Sequence, residues 1–309
     1  MAAKVSPLSN KRVWYSNPRV QRAFVLLFFL FIPLLLYGTF VLGTLVYSFV
    51  LSFTNWDGLS RTFKFIGFTN YIKMFNDAQF YIALKNNLIW VIISLAIPMF
   101  LGLLLAVLVD RNIRGENIFK SIFYLPMTIS FVVIAIIWSW VYEPNMGILN
   151  TFLRAAGLGF LAKAWLASKT TALYAIIIAA SWQLTGYSMI LFLAGIRNIN
   201  PEIIEAAKID GANNWQSFWR VVYPMLHSVR TIVIGTTLIN AFRVFDLVFA
   251  MTKGGPGGST NVLAMLMYQE SFLKYRMAYG SAIAVIQFLI VLIIMIIYLR
   301  RANRVEEAI

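Results

Sequence analysis

Three polar residues, Asn240, Arg243 and Asp246, lie inside a long apolar stretch of the chain. At a helical spacing of three they share one face, where the guanidinium and the carboxylate would partly neutralise each other. Ionisable side chains inside a membrane helix cost a few kcal/mol each and therefore need an explanation. One explanation is that the three residues line a water-filled cavity and hydrogen-bond a polyhydroxyl molecule. The other is a purely structural ion pair, and the residues alone favour neither.

A second polar set lies in the apolar run 172–193, where Gln183 and Tyr187 are four residues apart and share a helix face. Aromatic faces suit the apolar faces of sugar rings, and amides suit their hydroxyl groups, so Trp182, Gln183 and Tyr187 are candidates for contact with a molecule of that kind. Gln287 is a weaker candidate. The small hydroxylated residues of the same run are explained better as packing contacts between membrane helices.

The composition is that of an integral membrane protein. The chain has 309 residues, of which 60% are hydrophobic, and a mean hydropathy of +0.76, which is too apolar for a soluble domain of this size. It contains no cysteine, which excludes disulfides and thiolate chemistry. The net charge of +14 comes mainly from Lys and Arg at the ends of apolar runs, so it reflects membrane orientation rather than nucleic-acid binding.

The apolar runs predict an all-α, polytopic membrane protein, because each is close to the roughly 20 residues that a bilayer helix needs. Six spans are expected, at about Phe24–Val50, Leu88–Val109, Ile122–Val141, Ala172–Leu193, Val229–Ala250 and Ser281–Leu299. The first run is too long for a signal peptide and is expected to be retained. The expected division is an N-terminal segment 1–23, a six-helix transmembrane domain 24–300 that includes a polar loop 200–226, and a tail 301–309.

The distribution of Lys and Arg orients these spans. If the N-terminus is inside, the inner segments hold more Lys and Arg than the outer loops. The positive-inside rule then places both termini and the loop 200–226 in the cytoplasm. The outer segments 54–85 and 143–147 are rich in aromatic and turn residues, so they are candidates for docking an external partner, although single aromatic residues there also suit anchoring at the membrane surface.

The loop 200–226 predicts two short helices joined by a sharp turn. Asn200 and Pro201 are typical of a helix start, and Glu202 suits the positive end of the helix dipole. Gly211 suits the left-handed residue that ends such a helix. Asn213 with a glutamine three residues later is typical of a capping box that begins the second helix, which the later proline is expected to stop or kink.

Glu205-Ala206-Ala207, followed by Gly211 and Pro224, resembles the EAA signature of the membrane subunits of ABC importers, the binding-protein-dependent permeases. The glycine-rich segment 251–260 is similar to that of the sugar-transporting branch, which includes permeases for maltose and glycerol phosphate. The resemblance covers all six spans. Tyr223 departs from it, because the family usually has Leu before this proline.

The resemblance implies the type I importer permease fold and a role as one half of an ATP-driven carbohydrate translocation pathway. Its implied partners are a second homologous permease, two cytoplasmic ATPase subunits that carry ATP and Mg, and an extracytoplasmic sugar-binding protein. It also favours the cargo role for the polar stripe of the fifth span. The residues implied to couple to the ATPase are Glu202, Glu205, Ala206, Ala207, Asp210, Gly211 and Pro224.

The residues needed for chemistry on this chain are missing. No Gly-x-x-x-x-Gly-Lys-Ser/Thr motif is present, and the glycine-rich run 254–260 lacks the lysine and suits a reversing turn. His227 is the only histidine, so neither a zinc site nor a hydrolase triad is expected, and no catalytic or metal-binding residue is assigned. We therefore expect a non-enzymatic chain, and the resemblance implies a place in the cytoplasmic membrane of a bacterium or archaeon.

Three alternatives remain at this point. A secondary transporter or channel would couple flux to an ion gradient, but Asp246 is the only acidic residue expected within a span. A membrane-embedded enzyme would need a catalytic constellation that the chain does not offer. Within the ABC family, the cargo could be a polyol or a glycerol-phosphate compound instead of a sugar.

Overall fold

The computed structural model describes residues 18–110 and 115–306. Expectations for residues 1–17, 111–114 and 307–309 lie outside this part of the chain. The described helices are α1 (Pro18–Leu36), α2 (Thr44–Leu51), α3 (Thr69–Phe75), α4 (Ala78–Val109), α5 (Glu116–Thr128), α6 (Phe131–Val141), α7 (Ile148–Ala155), α8 (Ala172–Arg197), α9 (Pro201–Ile209), α10 (Asn214–Ser217), α11 (Tyr223–Met225), α12 (His227–Arg243), α13 (Asp246–Met251), α14 (Leu263–Tyr268) and α15 (Met277–Glu306). Three π-helical stretches and one 3-10 turn join or extend them. The only β-pairing within these residues is an isolated bridge between Thr54 and Phe65.

Within the described ranges, four helical units are long and apolar enough to cross a membrane: α1 with α2, α4, α8 and α15. Two bent pairs, α5 with α6 and the helix Asn214–Met225 with α12, bring the number to six if each pair is one span. The all-helical, polytopic prediction is confirmed, while several predicted boundaries need correction.

The first span is the least packed of the six. Its π-helical stretch, Tyr37–Gly43, joins α1 to α2 without a break. None of the described side chains between residues 25 and 50 is buried, and only α2 packs against α15. An apolar helix with so little contact to its own chain has its surface left for lipid or for another subunit.

The second span begins ten residues earlier than the predicted Leu88. The Asp77 side chain caps α4 by accepting the backbone N–H of Gln79 at 2.9 Å. Asn86 and Asn87 lie within α4, directly before the predicted start at Leu88. Both side chains are buried inside the protein and hydrogen-bonded, so their polarity does not end the helix.

The third span is broken, where a continuous helix was predicted. α5 and α6 meet at 106°. Ile129 is extended, and Ser130 starts α6 by accepting the N–H of Val133 with its hydroxyl. Pro126 lies just before this break and is consistent with it, because a proline within a helix removes one backbone hydrogen bond and its ring clashes with the carbonyl group one turn earlier.

The fifth span is broken as well, at both ends of α12. It bends by 66° at Leu226, where the helix Asn214–Met225 gives way to α12. α12 then ends at Arg243, seven residues before the predicted end, because Val244 is extended with ψ of 124°. A separate short helix, α13, begins at Asp246.

Close helix contacts form the core between α4, α5 and α8. A Cβ atom on Gly102 would lie 2.5 Å from the Cβ of Ser188, and one on Gly186 would lie 2.1 Å from the carbonyl oxygen of Phe123. Small residues allow such backbone approaches, which hold membrane helices together. The fourth span, α8, is therefore the central helix against which α4 and α5 pack.

Gly186→Ala should destabilise the purified chain by about 1 to 3 kcal/mol, the range for overpacking, because the added methyl group would push α5 away from α8. Thermal unfolding in detergent measures this. Gly38→Ala is the matched control, since a Cβ added to Gly38 in the exposed first span would meet nothing within 4 Å. Equal stability of the two variants would show that the contact between Gly186 and Phe123 is not tight.

Candidate functional site

The polar loop 200–226, here called the elbow, consists of two helices joined by a left-handed turn. Asn200 caps α9 by accepting the N–H of Glu202 at 3.1 Å, and Pro201 occupies the first turn. Gly211 has a φ of +85° with nothing within 4 Å of an added Cβ. These predictions are confirmed, and the glycine is needed for its backbone angle and not for space.

The second helix of the elbow begins at the predicted capping box. The backbone N–H of Gln216 donates to Asn213 Oδ1 at 2.8 Å, and the N–H of Asn213 donates to Gln216 Oε1 at 3.0 Å. The prediction that Pro224 stops or kinks this helix is confirmed, since the helix ends at Met225 and the chain bends by 66° at Leu226. A proline near the end of a helix is consistent with the bend, because its ring lacks an N–H and clashes with the carbonyl group one turn earlier.

The elbow presents a large exposed apolar surface. Ile209 is 86% exposed and Trp215 is 72% exposed. The ring of Trp215 packs edge-on against Trp219 at 5.5 Å, and Trp219 lies 4.9 Å from Tyr223. Exposed aromatic and aliphatic side chains of this size, next to polar residues, are typical of a protein interaction site.

Six of the seven predicted coupling residues lie together on α9 and the turn that follows it, and the seventh, Pro224, lies on α11. Glu202, Glu205 and Asp210 are exposed and have no ion-pair partner among the described residues. Ala206 is exposed, while Ala207 is half-buried and its carbonyl accepts the N–H of the residue after Gly211. Carboxylates without an ion-pair partner, beside an apolar surface, can meet cations of a partner chain.

The inner side of the elbow is held by the core. Val222 and Leu226 are buried in one apolar cluster with residues from the ends of α4 and α8, and Ile204 and Phe218 pack against it. The cluster includes Val109, Ile196 and Ile199. A displacement of the elbow would therefore act directly on the ends of the second and fourth spans.

The two broken spans meet in the middle of the bundle at two adjoining cavities. The first cavity has a volume of about 260 Å³, and the second about 310 Å³. They share Phe131, just after the break in the third span, as well as Leu184 and Asn240. The first is also lined by Trp90, Ala180, Ala241, Arg243, Val244, Phe245, Asp246 and Leu247, and the second by Met127, Gln183, Tyr187, Thr236 and Ile239.

Side-chain amides satisfy the carbonyl groups that the breaks leave without helical partners. Asn87 Nδ2 donates to the carbonyl of Ala241 at 3.0 Å, and Gln287 Nε2 donates to that of Phe242 at 2.8 Å. At the other break, Gln183 Nε2 donates to the carbonyl of Ile129 at 2.9 Å. Such partners are required because hydrocarbon offers none.

The cavities bring together five of the six predicted cargo residues. Gln183 and Tyr187 line the second cavity, Arg243 and Asp246 line the first, and Asn240 lines both. Trp182 is the exception: it lines neither cavity, and its ring packs edge-on against Trp138 at 6.1 Å. Gln287 is absent from both linings as well, and its observed contact is with the backbone.

The predicted helical stripe is wrong in its geometry. Arg243 ends α12 and Asp246 begins α13, so the two residues do not share a helix face. They form no ion pair with each other in the described part of the chain. Both are exposed and line the same cavity, where each keeps hydrogen-bonding capacity for a bound molecule.

Several lining residues were not predicted. Trp90, Phe131 and Leu184 are apolar residues within apolar runs, so nothing in the sequence distinguishes them from lipid-facing neighbours. Thr236 could have been found through its position four residues before Asn240, on the same helix face. It accepts a long hydrogen bond, 3.4 Å, from the hydroxyl of Tyr187.

The two segments predicted to dock an external partner are built on carboxylate-capped turns. Hydrogen bonds, first of all from the Ser60 hydroxyl, lower the pKa of Asp57 to about 2. Hydrogen bonding from the backbone N–H of Met146 likewise lowers the pKa of Glu143. In both turns the hydrogen bonds favour the charged carboxylate, and the segment 54–85 also carries exposed apolar side chains such as Phe65.

The fold and site define a membrane permease, and comparison with known families agrees. The family described as binding-protein-dependent transport system inner membrane component matches residues 98–307. The chain belongs to this family, whose members are permease subunits of ABC importers.

Curated relatives are similar over most of their length. A probable ABC transporter permease of Pyrococcus horikoshii is 40% identical over 282 residues, covering 91% of this chain and 97% of the relative. The osmoprotective compounds uptake permease of Synechocystis is 41% identical over 257 residues, covering 81% and 90%. The alpha-glucoside transport system permease of Rhizobium meliloti is 37% identical over 248 residues, covering 78% and 72%.

Solved structures share the fold. A chain of a bacterial alginate ABC transporter, crystallised with an alginate pentasaccharide-bound periplasmic protein, superposes with a TM-score of 0.82 at 22% identity, over 96% of this chain and 98% of that one. This similarity confirms the importer permease fold predicted from the sequence.

Asn87→Leu should destabilise the protein, because it leaves the carbonyl of Ala241 and the N–H of Leu263 without partners in the core. We expect a loss of about 1 to 3 kcal/mol for each group, measured by thermal unfolding in detergent. Asn76→Leu is the control, since its side chain bonds the exposed carbonyl of Ile72. If Asn87→Leu unfolded at the same temperature as the unmodified protein, these contacts would not hold the break in the fifth span.

Proposed function

We propose that this chain is one permease subunit of an ATP-driven, binding-protein-dependent carbohydrate importer and forms half of its translocation pathway. The observation that carries the proposal is the elbow, whose apolar face and exposed carboxylates project from the ends of the second and fourth spans. A surface of this kind suits a separate protein that supplies force. The names of relatives that transport alpha-glucosides, multiple sugars, and xylose or arabinose support a carbohydrate cargo.

The chemistry of the cavities suits a polyhydroxyl cargo. Asn240 and Tyr187 offer hydrogen bonds to hydroxyl groups, and Phe131 and Trp90 offer aromatic faces for the apolar faces of a sugar ring. Arg243 and Asp246 provide both signs of charge in one cavity, which suits a neutral cargo better than an anionic one. A glycerol-phosphate compound is therefore less favoured than a sugar, while a neutral polyol remains the alternative cargo.

The partners we propose are a second homologous permease, two cytoplasmic ATPase subunits and an extracytoplasmic sugar-binding protein. The open surface of the first span and the cavities at the breaks support the second permease, since a pathway between two subunits needs an apolar contact around it. The alginate transporter, which was crystallised with a periplasmic protein, supports the binding protein. ATP and Mg would bind on the ATPase subunits.

We place the chain as a multi-pass protein in the cytoplasmic membrane of a bacterium or archaeon, with both termini and the elbow in the cytoplasm. The excess of Lys and Arg on that side supports this orientation. ATP-driven closure of the ATPase subunits would displace the elbow and switch the cavities from inward-open to outward-open. Cargo and nucleotide would then influence each other only through this shared conformational change.

Reconstitution of the permease pair with the ATPase subunits in vesicles, supplied with the binding protein and labelled sugar, tests the proposal. We expect uptake that requires both ATP and the binding protein. Uptake driven by an ion gradient without ATP would instead support a secondary transporter.

Gly211→Val should uncouple transport from ATP hydrolysis, because a β-branched residue at positive φ strains the turn of the elbow by about 1 to 2 kcal/mol. Uptake per ATP hydrolysed should fall while membrane insertion is retained. Gly157→Val is the matched control, with a φ of +76° and equally open surroundings away from the elbow. Native coupling in Gly211→Val would rule out a role for the turn.

Asp246→Ala should raise the sugar concentration that half-saturates uptake about tenfold, the effect of losing one hydrogen bond to a charged group, about 1.5 kcal/mol. Asp246→Asn, which keeps an acceptor oxygen, should lose less. Initial uptake rates in vesicles measure both variants. Unchanged half-saturation in Asp246→Ala would show that the first cavity does not contact the cargo through this residue.

A further inference from the structure

Four charged residues join the ends of three helices next to the elbow. This charged cluster consists of Asp110 at the end of α4, Glu116 and Lys120 in the first turns of α5, and Arg197 at the end of α8. Arg197 Nε lies 3.5 Å from Asp110 Oδ1, and both Arg197 and Lys120 form ion pairs with Glu116. Arg197 therefore bridges the second and third spans from the end of the fourth.

The cluster lies directly beside the start of the elbow. Arg197 is three residues before Asn200, which caps α9. The flanking residues Ile196 and Ile199 are buried in the apolar cluster that also holds Val222 of the elbow. The elbow and the end of α8 are thus one packed unit, and Arg197 extends from that unit to α5.

α5 contacts α8 at two further positions along its length. Midway along it, the backbone of Phe123 packs directly on Gly186. At its far end, Gln183 Nε2 holds the carbonyl of Ile129 at the break in the third span. Gln183 also lines the second cavity, so the line of contacts along α5 ends at the proposed cargo site.

We propose that Arg197 is a positioning residue that makes α5 follow the elbow and α8 as one unit, so that a displacement of the elbow reaches the break at Ile129 beside the cavities. This proposal rests on the proposed function. The bending would then fall at residues 129–130, between α5 and α6. Without the ion pairs, the end of α5 nearest the elbow could move independently of α8.

A role in stability alone is a weaker explanation of the cluster. The Arg197 side chain is 44% exposed, and ion pairs this accessible contribute little to folding. Arginine is suited to the bridging role, because its planar, permanently charged guanidinium can hold two carboxylates at once. In this cluster, Arg197 fixes the positions of three helix ends relative to one another.

Paired spin labels test the proposal directly, with this chain, which has no native cysteine, assembled with partner subunits from which any cysteines have been removed. Ile122→Cys on α5 and Asn198→Cys after α8 would be labelled in the complete transporter in vesicles. We expect the distance between the labels to stay the same with and without ATP in the native background. In Arg197→Met it should change between the two states.

Transport should change in parallel. In Arg197→Met, sugar taken up per ATP hydrolysed should fall about tenfold, within the usual range of coupling between two sites, while the half-saturating sugar concentration stays native. Glu116→Gln should show the same loss, and the double variant should be no worse than either single variant. Glu116→Gln also carries the test if Arg197→Met does not assemble.

Arg301→Met is the matched control, because Arg301 is also an arginine near the C-terminal end of a span, α15, and has no ion pair within the described residues. It should keep native coupling. A constant label distance and native coupling in both cluster variants would overturn the role of Arg197. Failure of the unmodified complex to take up sugar with ATP would instead contradict the proposed function.

Discussion

The structure depends on how backbone carbonyl groups are satisfied where a membrane span is interrupted. Hydrocarbon offers no hydrogen-bond donor, so each break must find its partners within the protein. Here Asn87 and Gln287 hold the end of α12, and Gln183 holds the end of α5. These three amides come from three different spans, so the breaks can exist only within the assembled bundle, and the cavities form where they meet.

The elbow is the complementary case, because its surface is apolar where water would be expected. Its backbone is satisfied locally by two caps and a glycine turn, and its inner side chains join the core that ends the second and fourth spans. The outer aromatic side chains do not join this core and remain exposed. An element built so rigidly, with an apolar face that its own chain does not cover, is suited to receiving force from another protein.

The sequence was sufficient for the parts of the fold that depend on local rules. The caps at Asn200 and Asn213 and the turn at Gly211 follow from side-chain chemistry within a few residues, and they are found as predicted. The breaks at Ile129 and Val244 were not predicted, because their stability comes from amides more than forty residues away in the chain. The early start of α4 was missed for a related reason, since polar residues that are buried inside the bundle look like loop residues in the sequence.

The central claim is that a separate ATP-hydrolysing protein holds the elbow. The most direct measurement places a photo-reactive amino acid at Ile209, on the exposed apolar face, and identifies the cross-linked product from intact membranes by mass spectrometry, with Ile297 in the last span as the comparison. We expect Ile209 to cross-link to a nucleotide-binding ATPase subunit, with a yield that changes when ATP is added, and Ile297 to give no such product. Cross-linking of Ile209 only to lipid, or to proteins without a nucleotide site, would contradict the claim.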